Sequence, residues 1–318
     1  MTPAIPTDIR GVRELVQRYS NWGRWGAEDQ IGTLNHIGAA EVARAAALVR
    51  SGKVFSLAIP LDDTGPQLGT LGRTNPIHVM LQDGGDVASG SQEHLHMQYT
   101  DDAVYMVLQC GTQWDAIAHY FFEKRMYNGF GTEHVTSRGA HRNGIEKVAH
   151  KLIGRGVLLD LPRCRGAAWL PPGEAIQGTQ LLDCADSQGV TVGRGDILLI
   201  RTGQMARTIG QGSWGDYCGG PAPGLSVTCA QVLAEREIAA IATDTWTVEV
   251  WPSEVPGVSG VMHDILIVGM GMTLGEIFDM EALADDCAMD GIYEFLLAAP
   301  PLTVTGAVGS PINPLAVK

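Results

Sequence analysis

Basic residues are scarce in this chain of 318 residues: 22 Lys and Arg face 35 Asp and Glu, giving a formal charge of -13 and a pI near 5.0. A chain so short of positive charge lacks the electrostatic footprint of a nucleic-acid binder, which excludes that partner. Cysteine is sparse as well. The six thiols include no CxxC pair, which argues against a zinc knuckle, and in a chain of this size they read as free thiols in a reducing, cytoplasmic setting. Residues 1–10 lack a basic patch followed by an apolar run, so no secretory leader is expected. The uncharged stretch from Phe295 to Val317 is interrupted by Pro300, Pro301, Pro311 and Pro314, which excludes a membrane helix and leaves a strand followed by an ordered tail. There is no GxSxG elbow, and Gly269, Gly271 and Gly275 have the wrong spacing for a dinucleotide loop, so a serine hydrolase and a Rossmann dehydrogenase are disfavoured.

What is present is a large apolar fraction, 45% of residues, with 40 Gly and 16 Pro to make turns. Short apolar runs at 156–161, 196–201, 238–243 and 292–298 have the pattern of strands covered on both faces, and 103–109 reads as a further buried strand. Helices are expected at 41–50 with Gly52 as C-cap, at 180–188 and 227–236 behind Thr179 and Ser226, and at 280–289 before Gly291. A strand is expected at 53–59, and residues 60–102 read as a long excursion without clear period. Interleaved strands and helices define an α/β class, read as one domain over 1–318.

The segment Gln109-Cys110-Gly111-Thr112-Gln113-Trp114-Asp115-Ala116-Ile117-Ala118-His119 carries the chemistry. Gln109, Gln113, Asp115 and His119 fall on odd positions, so an extended backbone places them on one face, with Gly111 allowing a bend. Such a face is either a satisfied polar network or a ligand set in which carboxylate and amide oxygens hold a divalent ion and an imidazole acts as base. Cys110, at an even position, reads as a small buried thiol rather than a nucleophile. Glu93-His94-Leu95-His96 offers two further imidazoles that a loop could bring over the site. Trp25, Trp114 and Trp246 stand near the polar stretches and are candidate aromatic walls for a flat, small substrate.

QCGTQWDAIAH resembles the HxGTHxDxPxH signature of the cyclase-like metal-dependent hydrolases, which include bacterial kynurenine formamidase and isatin hydrolase. The likeness continues in WGAEDQIGTLN (25–35), RGVLLD (155–160), GDILLIRTG (195–203), the late His263 and Glu276, and the ending GSPINP (309–314). The resemblance implies a swivelling β/β/α-type α/β fold with a mixed sheet and a homo-oligomer, dimer or tetramer. It also implies a Zn- or Mn-type ion beside an acid/base histidine. Asp115, His119, His263 and Glu276 match the family's residues, whereas Gln109 and Gln113 stand where its first two signature histidines would be. Neutral amide oxygens are weak ligands, so the change either shifts preference towards harder ions such as Mn, Mg or Ca or removes tight binding.

The leading expectation is therefore a hydrolase that opens a small cyclic amide, formamide or lactone. Gln109, Gln113 and Asp115 are its expected metal ligands, His119 its general acid/base, and His263 and Glu276 the opposite side of the site. The alternatives are a metal-free enzyme in which the amides of Gln109 and Gln113 polarise a carbonyl, and a non-catalytic small-molecule binder.

Overall fold

A computed structural model describes residues 4–318. Its centre is a nine-stranded mixed sheet made of β1 (Val54–Ser56), β2 (Gln113–Asp115), β3 (Ile153–Asp160), β4 (Ile197–Arg201), β5 (Ala240–Thr243), β6 (Thr273–Glu276), β7 (Glu294–Ala298), β8 (Gly309–Pro311) and β9 (Leu315–Val317), in spatial order β1-β9-β7-β3-β4-β5-β6-β2-β8. Strands β3 to β6 run parallel, and the outer strands pair antiparallel on both sides. The parallel block is where the sequence is most continuously apolar. Leu158, Leu199, Ala240 and Ala242 face one core layer, and Val157, Leu159, Leu198, Ile200 and Ile241 face the other. A strand buried on both faces has no polar side to alternate with, hence the unbroken runs.

Several expectations need correction. Residues 103–109 are not a buried strand: Asp101–Tyr105 pairs with Ile77–Gln82 in a separate exposed ribbon, and the chain then turns before Gln113–Asp115 enters the sheet. The reason is partnership, since the place beside β6 is filled by Gln113–Asp115 and is only three residues long. Gln109 and His119 therefore lie in the turns flanking a short strand, not on one continuous extended face. The tail is more than ordered coil, because β8 forms the sheet edge on β2 and β9 inserts between β1 and β7. The first strand is limited to Val54–Ser56. The early helix is Ala39–Ala46 and stops short of Gly52, while the later ones, Gly178–Ser187 and Cys229–Glu235, start behind Gln177 and Thr228. Glu281–Asp290 does end on Gly291, whose φ of 71° makes it a left-handed C-cap.

Candidate active site

The site is built where β2 meets β6. In their antiparallel register Glu276 lies opposite Gln113 and Leu274 opposite Asp115, and residues two apart share a face, so Gln113, Asp115 and Glu276 project together. Gln113 Nε2 donates to Glu276 Oε2 at 2.9 Å across this pair. Trp114, between them, points the other way, is fully buried against Phe278 and donates its indole N–H to the Ala299 carbonyl. That packing needs Gly275 opposite it: a Cβ there would stand 2.6 Å from both Trp114 Cζ3 and Ala242 Cβ.

The strand ends are pinned from both sides. Thr112 Oγ1 accepts from the Ile59 N–H at 3.0 Å and donates to the Ile277 carbonyl at 2.6 Å, while the Ile277 N–H donates to the Thr245 carbonyl. Ile277 has φ of 61°, an expensive conformation for a β-branched side chain, costing on the order of 1–3 kcal/mol. The surrounding bonds hold this turn immediately after Glu276.

His263 arrives from a buried helical segment that is apolar except for His263 and its neighbour Asp264. Val261–His263 forms one α-helical turn that widens into a π-helical stretch, Asp264–Met270, with every residue buried. The apolar run Ile265–Met270 belongs in the core, and wide turns of this type recur at functional sites. Gly260, at φ of 75°, starts the segment, and a Cβ there would collide with the Tyr120 hydroxyl. His263 Nδ1 lies 3.0 Å from Glu249 Oε1 and donates to it, while Glu249 Oε2 accepts from the Met262 N–H at 2.6 Å. This fixes the ring with Nε2 facing Glu276 Oε1 at 3.5 Å.

Asp115, His263 and Glu276 each offer a donor atom, all within 4.8 Å of one another, and all three side chains are buried. Asp115 Oδ1 and Gln113 Oε1 are buried without a hydrogen-bond partner among the described residues. Burial, then the Asp115 charge, raise the Glu276 pKa, and the His263 contact pulls against them. Burial opposes the imidazolium of His263, but the Glu249 and Glu276 carboxylates outweigh it and the pKa rises well above the ordinary value. Three buried carboxylates around one imidazole leave excess negative charge, the condition under which a divalent cation is retained. The donor set thus fits an ion held by Asp115 Oδ, His263 Nε2 and Glu276 Oε.

His119 flanks this cluster. Its Nε2 is 3.9 Å from Asp115 Oδ1, too far for a hydrogen bond, so the imidazole is not committed to that carboxylate. Burial lowers its pKa against the attraction of Asp115, while the positive neighbours His263 and Arg73 lower it further. The ring is neutral at neutral pH and able to accept a proton.

These groups line a cavity of about 470 Å³, within the range of small-molecule sites. Asp115, His119, His263 and Glu276 all face it, and Tyr120, Trp246 and Trp251 form its aromatic side. The other expected site residues lie elsewhere. Gln109 is buried with its amide Nε2 unpartnered against Gly309, Trp25 packs edge-on to His36, and Trp114 is in the core. His94 and His96 sit on an exposed segment outside the cavity lining. Glu249 and Arg73 were missed. An acidic residue inside the apolar run Val248-Glu249-Val250-Trp251 was a usable signal for the first, whereas Arg73 sits in a Gly-rich excursion with no pattern.

A family model described as "Putative cyclase" matches residues 55–250, and the chain belongs to this cyclase family. A crystal structure titled a novel cyclase is 38% identical, with a TM-score of 0.86 over 94% of this chain and 100% of that one. Isatin hydrolase A from Labrenzia aggregata, bound to benzyl benzoate, shares the fold at 17% identity, with a TM-score of 0.60 over 86% of this chain and 94% of its own. A potential metal-dependent hydrolase with cyclase activity does so at 15% identity, with a TM-score of 0.52 over 84% of this chain and 98% of that one. Among curated proteins no sequence matches this chain. No helix of the described residues is long and apolar enough to cross a membrane.

Proposed function

We propose that the protein is a hydrolase that adds water to the carbonyl of a small cyclic amide, formamide or lactone, using a divalent ion held by Asp115, His263 and Glu276. The observation that carries this reading is the buried donor cluster with an unpartnered Asp115 Oδ1 beside a free imidazole, inside a cavity of substrate size. When bound, the ion would supply Lewis-acid polarisation of the carbonyl and a lowered pKa for attacking water. His119, neutral and uncommitted, takes the proton of that water at Nε2 and returns it to the departing nitrogen or oxygen. Glu249 holds one proton of His263 on Nδ1, so the proton that an ion would displace is the one on Nε2, which faces the site. Tyr120, Trp246 and Trp251 hold a flat substrate and reduce the access of bulk water.

Turnover is tested on a panel of lactones, cyclic imides and formamides, with protein stripped by chelator and reloaded with Mn or Zn. Hydrolysis that is lost on stripping and restored on reloading is the expected result. Hydrolysis that survives stripping favours the amide-assisted, metal-free enzyme, and metal retention without turnover on any compound favours a binder.

A further inference from the structure

The remaining charge in the cavity is Arg73. It follows the short 3-10 turn Thr70–Gly72 and lines both the main cavity and an adjoining recess formed with Gln67, Leu71 and Cys218. Arg13, Arg142, Arg155, Arg201 and Arg207, the other arginines not fully exposed, each bond a side chain: Glu123, Glu28, Asp196 and Glu294, Asp160 and Glu281, and Gln204 respectively. The Arg73 guanidinium alone among them makes no hydrogen bond or ion pair with any described residue, its backbone N–H donating to the Thr70 carbonyl at 3.1 Å. A half-buried guanidinium with no protein acceptor keeps its donors open, through the cavity, for a group from outside.

The acids of the cavity do not fill that role. Glu249 accepts from His263 and the Met262 N–H, and Glu276 accepts from Gln113 and faces His263 Nε2 at 3.5 Å. Yet Arg73 is close enough for its charge to lower the pKa values of both His119 and Glu276. It therefore overlooks the reacting centre without being neutralised by it. Beside it Trp246 and Trp251 stand edge to face, 5.7 Å between centroids, forming an apolar wall for a planar group. No lysine lines the cavity, and three carboxylates do, so the field suits a monoanion better than a phosphate dianion.

We propose that Arg73 is the anion-recognition residue of this cavity, and that the ligand it takes is a small planar molecule carrying a carboxylate. The planar fork of a guanidinium matches a carboxylate with two parallel hydrogen bonds. The inference rests on reading the cavity as the substrate site, and adds that the substrate brings a carboxylate in addition to the carbonyl that is attacked. Substrate orientation then comes from two fixed points, the Arg73 fork and the aromatic wall.

The test is isothermal titration calorimetry on chelator-treated protein, so that no bound ion contributes to anion affinity. The probes are benzoate, its neutral isostere benzamide, and inorganic phosphate. Wild type is expected to bind benzoate about tenfold or more tighter than benzamide, the effect of one charge-assisted hydrogen-bonded pair. Arg73→Ala is expected to erase that preference with benzamide binding unchanged, and Arg73→Lys to restore part of it. The preference is also expected to persist in His119→Ala, which separates this inference from the hydrolytic reading: loss of turnover on the whole panel leaves the binding preference standing. Equal affinity of wild type for benzoate and benzamide, a preference that survives in Arg73→Ala, or phosphate binding as tight as benzoate would each overturn the proposal.

Discussion

Glu249→Gln tests whether the tautomer of His263 governs ion binding. Glutamine keeps the size of the side chain and an oxygen that can accept from the Met262 N–H, now at 2.6 Å from Glu249 Oε2. Its other atom is then an N–H2 group facing His263 Nδ1, where the carboxylate oxygen stands at 3.0 Å. Two donors cannot share that contact, so the imidazole either loses it or, as the neutral ring, keeps its proton on Nε2, the nitrogen that faces Glu276 at 3.5 Å, and blocks it as a ligand. Hydrogen bonds to a charged partner contribute about 1.5–3 kcal/mol, and groups that orient a ligand histidine alter metal affinity about 10–100-fold. The two figures agree, and a loss of roughly 10–100-fold in Mn or Zn affinity is expected, read by competition with a chromogenic chelator. Circular dichroism and thermal unfolding check that the buried helical turn is retained. Affinity within a factor of two of wild type, in a folded variant, would refute the role given to Glu249 and with it the assignment of His263 Nε2 as a ligand.

His119→Ala is expected to lower kcat by about 10²–10⁴ on whichever compound is turned over, with ion affinity nearly unchanged because the ring lies outside the donor cluster; unaltered kcat would make it structural. Gly275→Ala forces a Cβ to within 2.6 Å of Trp114 and Ala242, so a stability loss of about 1–3 kcal/mol is expected in urea unfolding, and an unchanged midpoint would show that the Trp114 layer yields freely. Burial holds the His36 pKa at about 4 against an unperturbed 6.5. The unfolded chain therefore binds more protons between these values, and stability should fall as pH drops from 6.5 to 4, by at most about 3 kcal/mol from this group. A His36→Gln variant with the same pH slope as wild type would contradict that account.

How much of this was legible in the sequence depended on burial and on chain distance. The runs around Leu158, Leu199 and Ile241 announced themselves because a strand covered on both faces has only apolar positions. The last two strands did not, since Gly309–Pro311 and Leu315–Val317 are three residues each and lie among prolines. Ala103 to Tyr105 misled because local β-propensity says nothing about which sheet a strand joins, and this ribbon pairs away from the core. In the site, the odd and even alternation around Trp114 was readable and correct for Gln113 and Asp115, since they alone occupy the strand. That Glu276 belongs to the same site was visible only through resemblance to a family, and its pairing with Gln113, 163 positions away, was not visible, as no local pattern encodes a register between distant strands. Glu249 acts through His263 rather than on the cavity's reacting centre, and a supporting residue of that kind has no spacing rule.

The central claim, that Asp115, His263 and Glu276 together hold a divalent ion, is tested most directly by metal content. Protein purified without chelator or nickel resin is stripped, reloaded with Mn or Zn, passed through a desalting column and analysed by mass spectrometry beside Asp115→Asn and Glu276→Gln. The account predicts about one equivalent of ion retained by wild type and substantially less by either variant, since each removes one charged oxygen ligand. Wild type that emerges free of metal, or variants that retain as much as wild type, would contradict it.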